Sequence, residues 1–166
     1  MSIRRLENIK YEEKEVKILL AVLAVFFLFS LFVWTLTVKG KRYTFRFEST
    51  DSGRVSVEYR YLPKKSYPEN VLQYVDELVI GPKTERFNRL FSYGTHIISS
   101  FVTDDDVLFV NLSSDVLEMV GNCSDIKTGI KLFKKNVLKT FGKIKTVEMY
   151  IDNKSIYTQD DENVKK

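Results

Sequence analysis

The sequence predicts an α+β domain, a two-layer sandwich with helices on one face of a mixed sheet, preceded by one transmembrane helix. Three observations predict it. An uncharged apolar run occupies Ile18–Val38. Beyond it, apolar and polar residues alternate in several short segments, the pattern of half-buried strands. Two further segments carry apolar residues at helical spacing, and each is closed by a glycine. The predicted order is β-β-α-β-β-α-β, with a short final strand after it.

The apolar run reads ILLAVLAVFFLFSLFVWTLTV, without charge, Gly or Pro. At about 1.5 Å per residue it spans roughly 30 Å, the thickness of a bilayer's hydrocarbon core. Lys17 closes one end, and Lys39, Lys41 and Arg42 close the other. Trp34 falls near the second boundary, where an amphipathic ring meets headgroups. The run is longer than a cleaved signal peptide's apolar stretch of roughly 7–15 residues, and no small-residue cleavage site follows. The expectation is an uncleaved, single-pass signal-anchor. Basic residues flank both sides almost equally (Arg4, Arg5, Lys10, Lys14 and Lys17 against Lys39, Lys41, Arg42 and Arg46) and decide orientation only weakly. The expected organisation is a charged leader over 1–17, the anchor over 18–38, the domain over 40–157 and a disordered polar tail over 158–166.

The chain has 166 residues and a formal net charge of +4, too mild to point to nucleic acid. Cys123 is the only cysteine, so no intramolecular disulfide forms. Tyr43, Phe45 and Phe47 alternate with polar residues, as do Val55, Val57, Tyr59 and Tyr61, around a turn at Gly53. That predicts a hairpin. The next helix is read from Ser66 and Glu69 as a capping box with Pro68 in the first turn, an apolar face of Val71, Tyr74, Val75 and Leu78, and a stop at Gly81-Pro82. Phe87, Leu90 and Phe91 are expected to fold a short helical turn onto the core. Ile97–Val102 and Val107–Leu112 predict a second hairpin. Ile126, Ile130, Phe133, Val137 and Phe141, with Leu138 beside them, predict the second helix, ended by Gly142. Val147, Met149 and Ile151 predict a strand that turns at Asp152-Asn153 into Ser155–Tyr157.

These segments carry a series of short motifs in order: Tyr61-Leu62-Pro63; Leu78-Val79-Ile80-Gly81-Pro82; Ser92-Tyr93-Gly94-Thr95; Val110-Asn111-Leu112-Ser113; Val137-Leu138-Lys139-Thr140-Phe141-Gly142-Lys143-Ile144; and Asp152-Asn153-Lys154. Together they resemble the GerMN domain of spore-germination, sporulation and other bacterial envelope proteins, over about Val55–Ser155. The positions that carry the resemblance include Gly81, Pro82, Gly94, Thr95, Asn111, Leu112, Ser113, Leu138 and Phe141. Asn111 stands where the family has Asp, Val137 where it has Thr, Ser92 where it has Pro and Asn153 where it has Gly. The resemblance implies an exported interaction or ligand-binding module with no established catalytic residues, anchored in a bacterial cytoplasmic (inner) membrane, single-pass, with the C-terminal domain extracytoplasmic.

No phosphate loop, dinucleotide fingerprint, nucleophile elbow or zinc spacing occurs. His96 has no Cys or His near it in sequence, and a turn or surface role is its plainer reading. Cys123 between Asn122 and Ser124 reads as a small packed residue. Asp104-Asp105-Asp106 is the best metal candidate, yet it lacks the ligand spacing of a calcium loop, and a turn is the plainer reading. No catalytic residue, cofactor or metal site is therefore predicted. Lys127, Lys131, Lys134, Lys135 and Lys139 line one face of the second helix, a candidate interaction surface. Tyr43, Tyr59, Tyr61, Tyr67 and Tyr74 offer rings to a groove, though core packing is expected for at least half of them. The functional expectation is a non-catalytic membrane-anchored envelope protein that binds a protein partner or assembles a complex. The alternative is a module for peptidoglycan or another small ligand, using the tyrosines and the basic helix face.

Overall fold

A computed structural model describes residues 3–37 and 40–156. The chain divides after Gly40 into two compact units. The expected tail 158–166, and Val38, Lys39 and Tyr157, lie outside the described residues.

The first unit is helix α1, Ile3–Thr37, so the leader is helical from Ile3 onward. Its segment Lys14–Thr35 has a mean hydropathy of 2.8 and none of it is buried, which makes it long and apolar enough to cross a membrane. Thr35 Oγ1 donates to the Phe32 carbonyl at 2.8 Å, so this hydroxyl is satisfied within the helix.

The second unit is α+β and follows the predicted order. β1 (Gly40–Glu48) and β2 (Val55–Pro63) form a hairpin. Helix α2 (Glu69–Ile80), strands β3 (Ile97–Val102) and β4 (Val107–Leu112), helix α3 (Ile126–Thr140), and strands β5 (Thr146–Ile151) and β6 (Lys154–Ser155) follow. A 3-10 turn at Ser114–Leu117 adds to the predicted elements. The strands fall into two sheets: the hairpin, and a mixed four-stranded sheet ordered β3-β4-β5-β6. β4 and β5 are parallel, bridged by α3, while β3 and β6 run antiparallel to their neighbours.

Both helices touch both sheets. α2 packs on β3 and α3 on β5. The buried side chains Leu108, Val110, Leu112, Val147 and Met149 form the sheet's contribution to the core. Tyr43 and Phe45 of β1 pack on Tyr74 of α2, with ring centroids 5.6 and 4.5 Å apart. The outer edge of β1 is closed by a side chain. Asn136 of α3 accepts from the Arg46 N–H and donates to the Arg46 carbonyl, both at 2.8 Å, as a neighbouring strand would.

β2 faces the opposite way from what its apolar residues suggest. Arg60 and Leu62 point inward and are buried, while Val55, Val57, Tyr59 and Tyr61 are exposed. The inward Arg60 has work that no apolar residue can do. Its guanidinium bonds the Glu77 carboxylate at 2.8 Å, the Gly81 carbonyl at 2.6 Å and the Glu58 carboxylate. It thereby satisfies carbonyls at the C-terminal end of α2. It also lies 4.6 Å from the Phe45 ring centroid.

Three local expectations are corrected. α2 begins at Glu69 with Pro68 at the N-cap and no side-chain cap, so Ser66 lies too far ahead to form a capping box. Leu90 and Phe91 are buried without a helical turn. The loop instead makes single bridges, Ser49 with Phe87 and Arg89 with Cys123, which satisfy its backbone. Leu138 is exposed rather than flanking the buried stripe of α3, because the helix turns Asn136 and Val137 inward.

α3 comes so close to the Arg89–Cys123 loop that only glycine fits. A Cβ on Gly129 would stand 2.1 Å from the Leu90 carbonyl oxygen. Backbone cannot yield as a flexible side chain would. Gly129→Ala is therefore expected to destabilise the domain by about 3 kcal/mol, against a gain of at most about 1 kcal/mol from helix propensity. Urea denaturation followed by circular dichroism checks this, and an unchanged midpoint would refute the close approach.

Candidate functional site

Four surfaces come forward once the chain is folded. The first is the outward face of the hairpin, where Val55, Val57, Tyr59 and Tyr61 are exposed in a row. The Arg42 guanidinium lies 3.8 Å from the Tyr59 ring centroid on this face. Among the described residues no backbone group outside β1 bonds to β2, so its second edge is free. The second is the face of the four-stranded sheet away from the helices. Phe101, Phe109 and Tyr150 stack across three strands there, at 5.1 and 6.2 Å.

The third surface is the predicted lysine face. Lys127, Lys131, Lys135 and Lys139 are exposed along α3, and Lys134 is half-buried. The fourth is a cleft of about 230 Å³ between β1 and the end of α3, lined by Lys41, Arg42, Thr44, Arg46, Lys139 and Thr140, with Tyr43. Of the predicted lysines only Lys139 reaches it.

The tyrosines separate by element. Tyr43 and Tyr74 are buried in the core, whereas Tyr59 and Tyr61 are exposed. Tyr67 is half-buried and donates to Asp106 at 2.8 Å. Asp106 also faces Lys143 at 3.6 Å and Lys145 at 3.5 Å. The Tyr67 hydrogen bond, with the two lysines, holds its carboxyl below the usual carboxylate range. The Asp104–Asp106 turn is thus organised by a phenol and two ammonium groups. Among the described residues no cluster of three His, Cys, Asp or Glu is placed to hold a metal.

A Ser-His-Asp grouping that sequence reasoning missed lies between β3 and the 3-10 turn. Ser113 Oγ donates to Asp115 Oδ2 at 2.7 Å and accepts from the His96 N–H at 3.2 Å. His96 Nδ1 stands 3.5 Å from the same Asp115 oxygen. The arrangement does not prepare a nucleophile. The serine proton goes to the aspartate rather than to the imidazole, and Ser113 is buried. Its work is to fix the turn. Cys123 is half-buried beside the Arg89 bridge.

Most positions that carry the GerMN resemblance do structural work, Leu138 being exposed. Gly81 caps α2 at φ 95°, a conformation open to glycine, and Pro82 follows it half-buried. Gly94 turns at φ 95°, and Thr95 behind it is buried with its hydroxyl unpartnered among the described residues. Leu112 is fully buried and its carbonyl accepts from Asp152, while Phe141 packs on Tyr74 at 5.2 Å. Asn111 and Asn153, two departures from the family pattern, are partners. Asn111 Oδ1 accepts from the Asn153 N–H at 3.1 Å, and its Nδ2 donates to Asn153 Oδ1 at 2.9 Å. Ser92 accepts from the Val120 N–H at 2.8 Å, and Val137 is fully buried.

Comparison with known proteins then bears on this arrangement. A family model described as Germane, sporulation and spore germination, matches residues 41–157. The chain belongs to this family. The tandem GerMN domains of the sporulation protein GerM from Bacillus subtilis are similar in fold, with a TM-score of 0.53 and 15% identity. That match covers 70% of this chain and 41% of the tandem chain, so this chain spans less than half of it. The first GerMN domain of the same protein matches with a TM-score of 0.49 and 15% identity, covering 68% of this chain and 85% of that one. No curated protein matches the chain.

Within the Germane domain, Tyr74 joins the hairpin to both helices. Its hydroxyl donates to the Thr44 carbonyl at 2.7 Å and accepts from Thr140 at 3.1 Å. Burial pushes its pKa from 10.0 up to about 12. A raised folded-state pKa gives stability that is whole below the unfolded value and is lost as pH rises through the folded value. Between pH 10.0 and about 12 the domain is expected to lose about 3 kcal/mol from this group. Tyr74→Phe should flatten that loss, as measured by denaturation across the alkaline range.

Proposed function

We propose that this Germane-family chain is a non-catalytic docking protein of the bacterial envelope. In this reading α1 crosses the cytoplasmic membrane once, and the domain lies on the extracytoplasmic side. The single apolar helix and the family's association with sporulation and germination support that placement. A reporter active only outside the cytoplasm, fused after Lys166, is expected to be active. Activity confined to a cytoplasmic reporter would sink the placement.

The observation that carries the docking reading is the outward stripe of Val55, Val57, Tyr59 and Tyr61 beside a free strand edge. An open edge with apolar side chains alternating on one face is the surface that an added strand recognises. The cations around it choose the partner. Arg42 sits over Tyr59, Arg54 is exposed just ahead of β2, and Lys64 and Lys65 are exposed just after it. The partner is therefore a protein segment in extended form, flanked by carboxylates. Buried tyrosines at such contacts are the anchors that cost most on truncation.

A second reading, a peptidoglycan-binding module, draws on the exposed lysines of α3. One experiment separates the two. Crosslinking from position 61 in native membranes is expected to capture a protein, and Val57→Ala with Tyr59→Ala is expected to reduce capture roughly tenfold or more. Capture of wall fragments, or capture unaffected by these changes, would remove the strand-docking reading.

A further inference from the structure

We propose that the cleft between β1 and the C-terminal end of α3 binds a phosphate ester. Lys41, Arg42, Arg46 and Lys139 line it, and no acidic residue does. Three other cations of this domain are matched by carboxylates. Arg60 meets Glu58 and Glu77, and Lys143 and Lys145 meet Asp106. Among the described residues no carboxylate pairs with any of the four cleft cations. Gathering like charges around one small space raises their mutual repulsion, and a bound anion reverses the sign of that term.

The Arg46 side chain adds an independent observation. Its Nη1 is shielded from solvent and has no hydrogen-bond partner among the described residues. A guanidinium donor in that state carries a desolvation cost, which a turn of the side chain toward an anion in the cleft would relieve. Its backbone is fixed by Asn136, so the side chain leaves β1 from a defined point. The Lys41 ammonium lies 5.3 Å from the Tyr43 ring centroid and the Arg42 guanidinium 3.8 Å from the Tyr59 ring centroid, which places both charged ends before any ligand arrives.

The chemistry favours a phosphoryl group. Forked guanidinium donors and point-charge ammonium groups together suit an anion with several terminal oxygens. The α3 C-terminus opposes an anion with about half a charge, and four whole charges outweigh it. Thr140 already gives its proton to Tyr74, so the cations carry recognition. At about 230 Å³ the cleft is below the range of drug-sized pockets and suits a headgroup-sized anion. The shared ligand chemistry is a phosphate ester, whose source is either a phospholipid headgroup or a soluble ester.

The full chain in non-ionic detergent, titrated with inorganic phosphate at constant ionic strength, provides the test. Saturable shifts of the Thr44, Arg46 and Thr140 amide resonances are expected. Affinity should fall about tenfold or more in Lys139→Gln and in Arg46→Gln. Lys127→Gln with Lys131→Gln should leave it unchanged, and melting curves show whether each variant is folded. A second arm places the chain in phosphatidylcholine discs with and without phosphatidylglycerol. Response of the same amides to phosphatidylglycerol alone supports the proposal and assigns a lipid source. Response to free phosphate supports it with a soluble source. No saturable shift in either arm overturns it, as does a response that Lys139→Gln leaves undiminished.

Discussion

A two-stranded hairpin is at best marginally stable in water, so this domain depends on how β1 and β2 are attached to the rest. Three polar side chains share the attachment, the Tyr74 hydroxyl on the Thr44 carbonyl among them. Arg60 runs from the inner face of β2 into the end of α2, and Asn136 runs from α3 to the outer edge of β1. Around them Tyr43, Phe45 and Phe47 supply apolar burial. The burial gives most of the stabilisation, and the polar contacts fix the register and direction in which it is gained. A buried guanidinium costs several kcal/mol of solvation, so its value lies in having both carboxylates present. Removing one partner from such a site typically costs about 3–5 kcal/mol.

That constraint explains what was legible in the sequence. Helices α2 and α3 are legible from local periodicity, since each presents one apolar face to the core, and strands β3 and β4 from the acidic turn between them. β2 was also visible as a strand, but alternation does not say which side faces inward. Apolar residues suggested Val55 to Tyr61, whereas the open carbonyls of α2 required Arg60. The division into two sheets was hidden for a related reason. The partner at β1's outer edge is an asparagine in a helix, and no strand pattern announces it. Gly129 reads locally as a weakness in α3, and its reason lies in the Leu90 carbonyl of a distant loop.

The family positions show the same dependence on distant partners. Asn111 and Asn153 look like separate departures when read along the chain. Folded, they meet across the β5–β6 turn, where Asp152 and Asn153 both take positive φ. Asparagine tolerates that conformation better than most residues, and its side chain gains a partner. The lysines of α3 were legible as a face, but the four cations of the cleft come from two elements far apart in sequence. Only Lys139 belongs to both sets.

Trp34 has an optical consequence. It is the chain's only tryptophan, lies in α1, and is exposed there. Indole emission therefore originates wholly outside the Germane domain. Its wavelength reports whether the helix stands in lipid or water, free of any contribution from domain unfolding. The domain must be followed through its tyrosines or its backbone. A single preparation thus carries two separable signals, one for α1 and one for the domain.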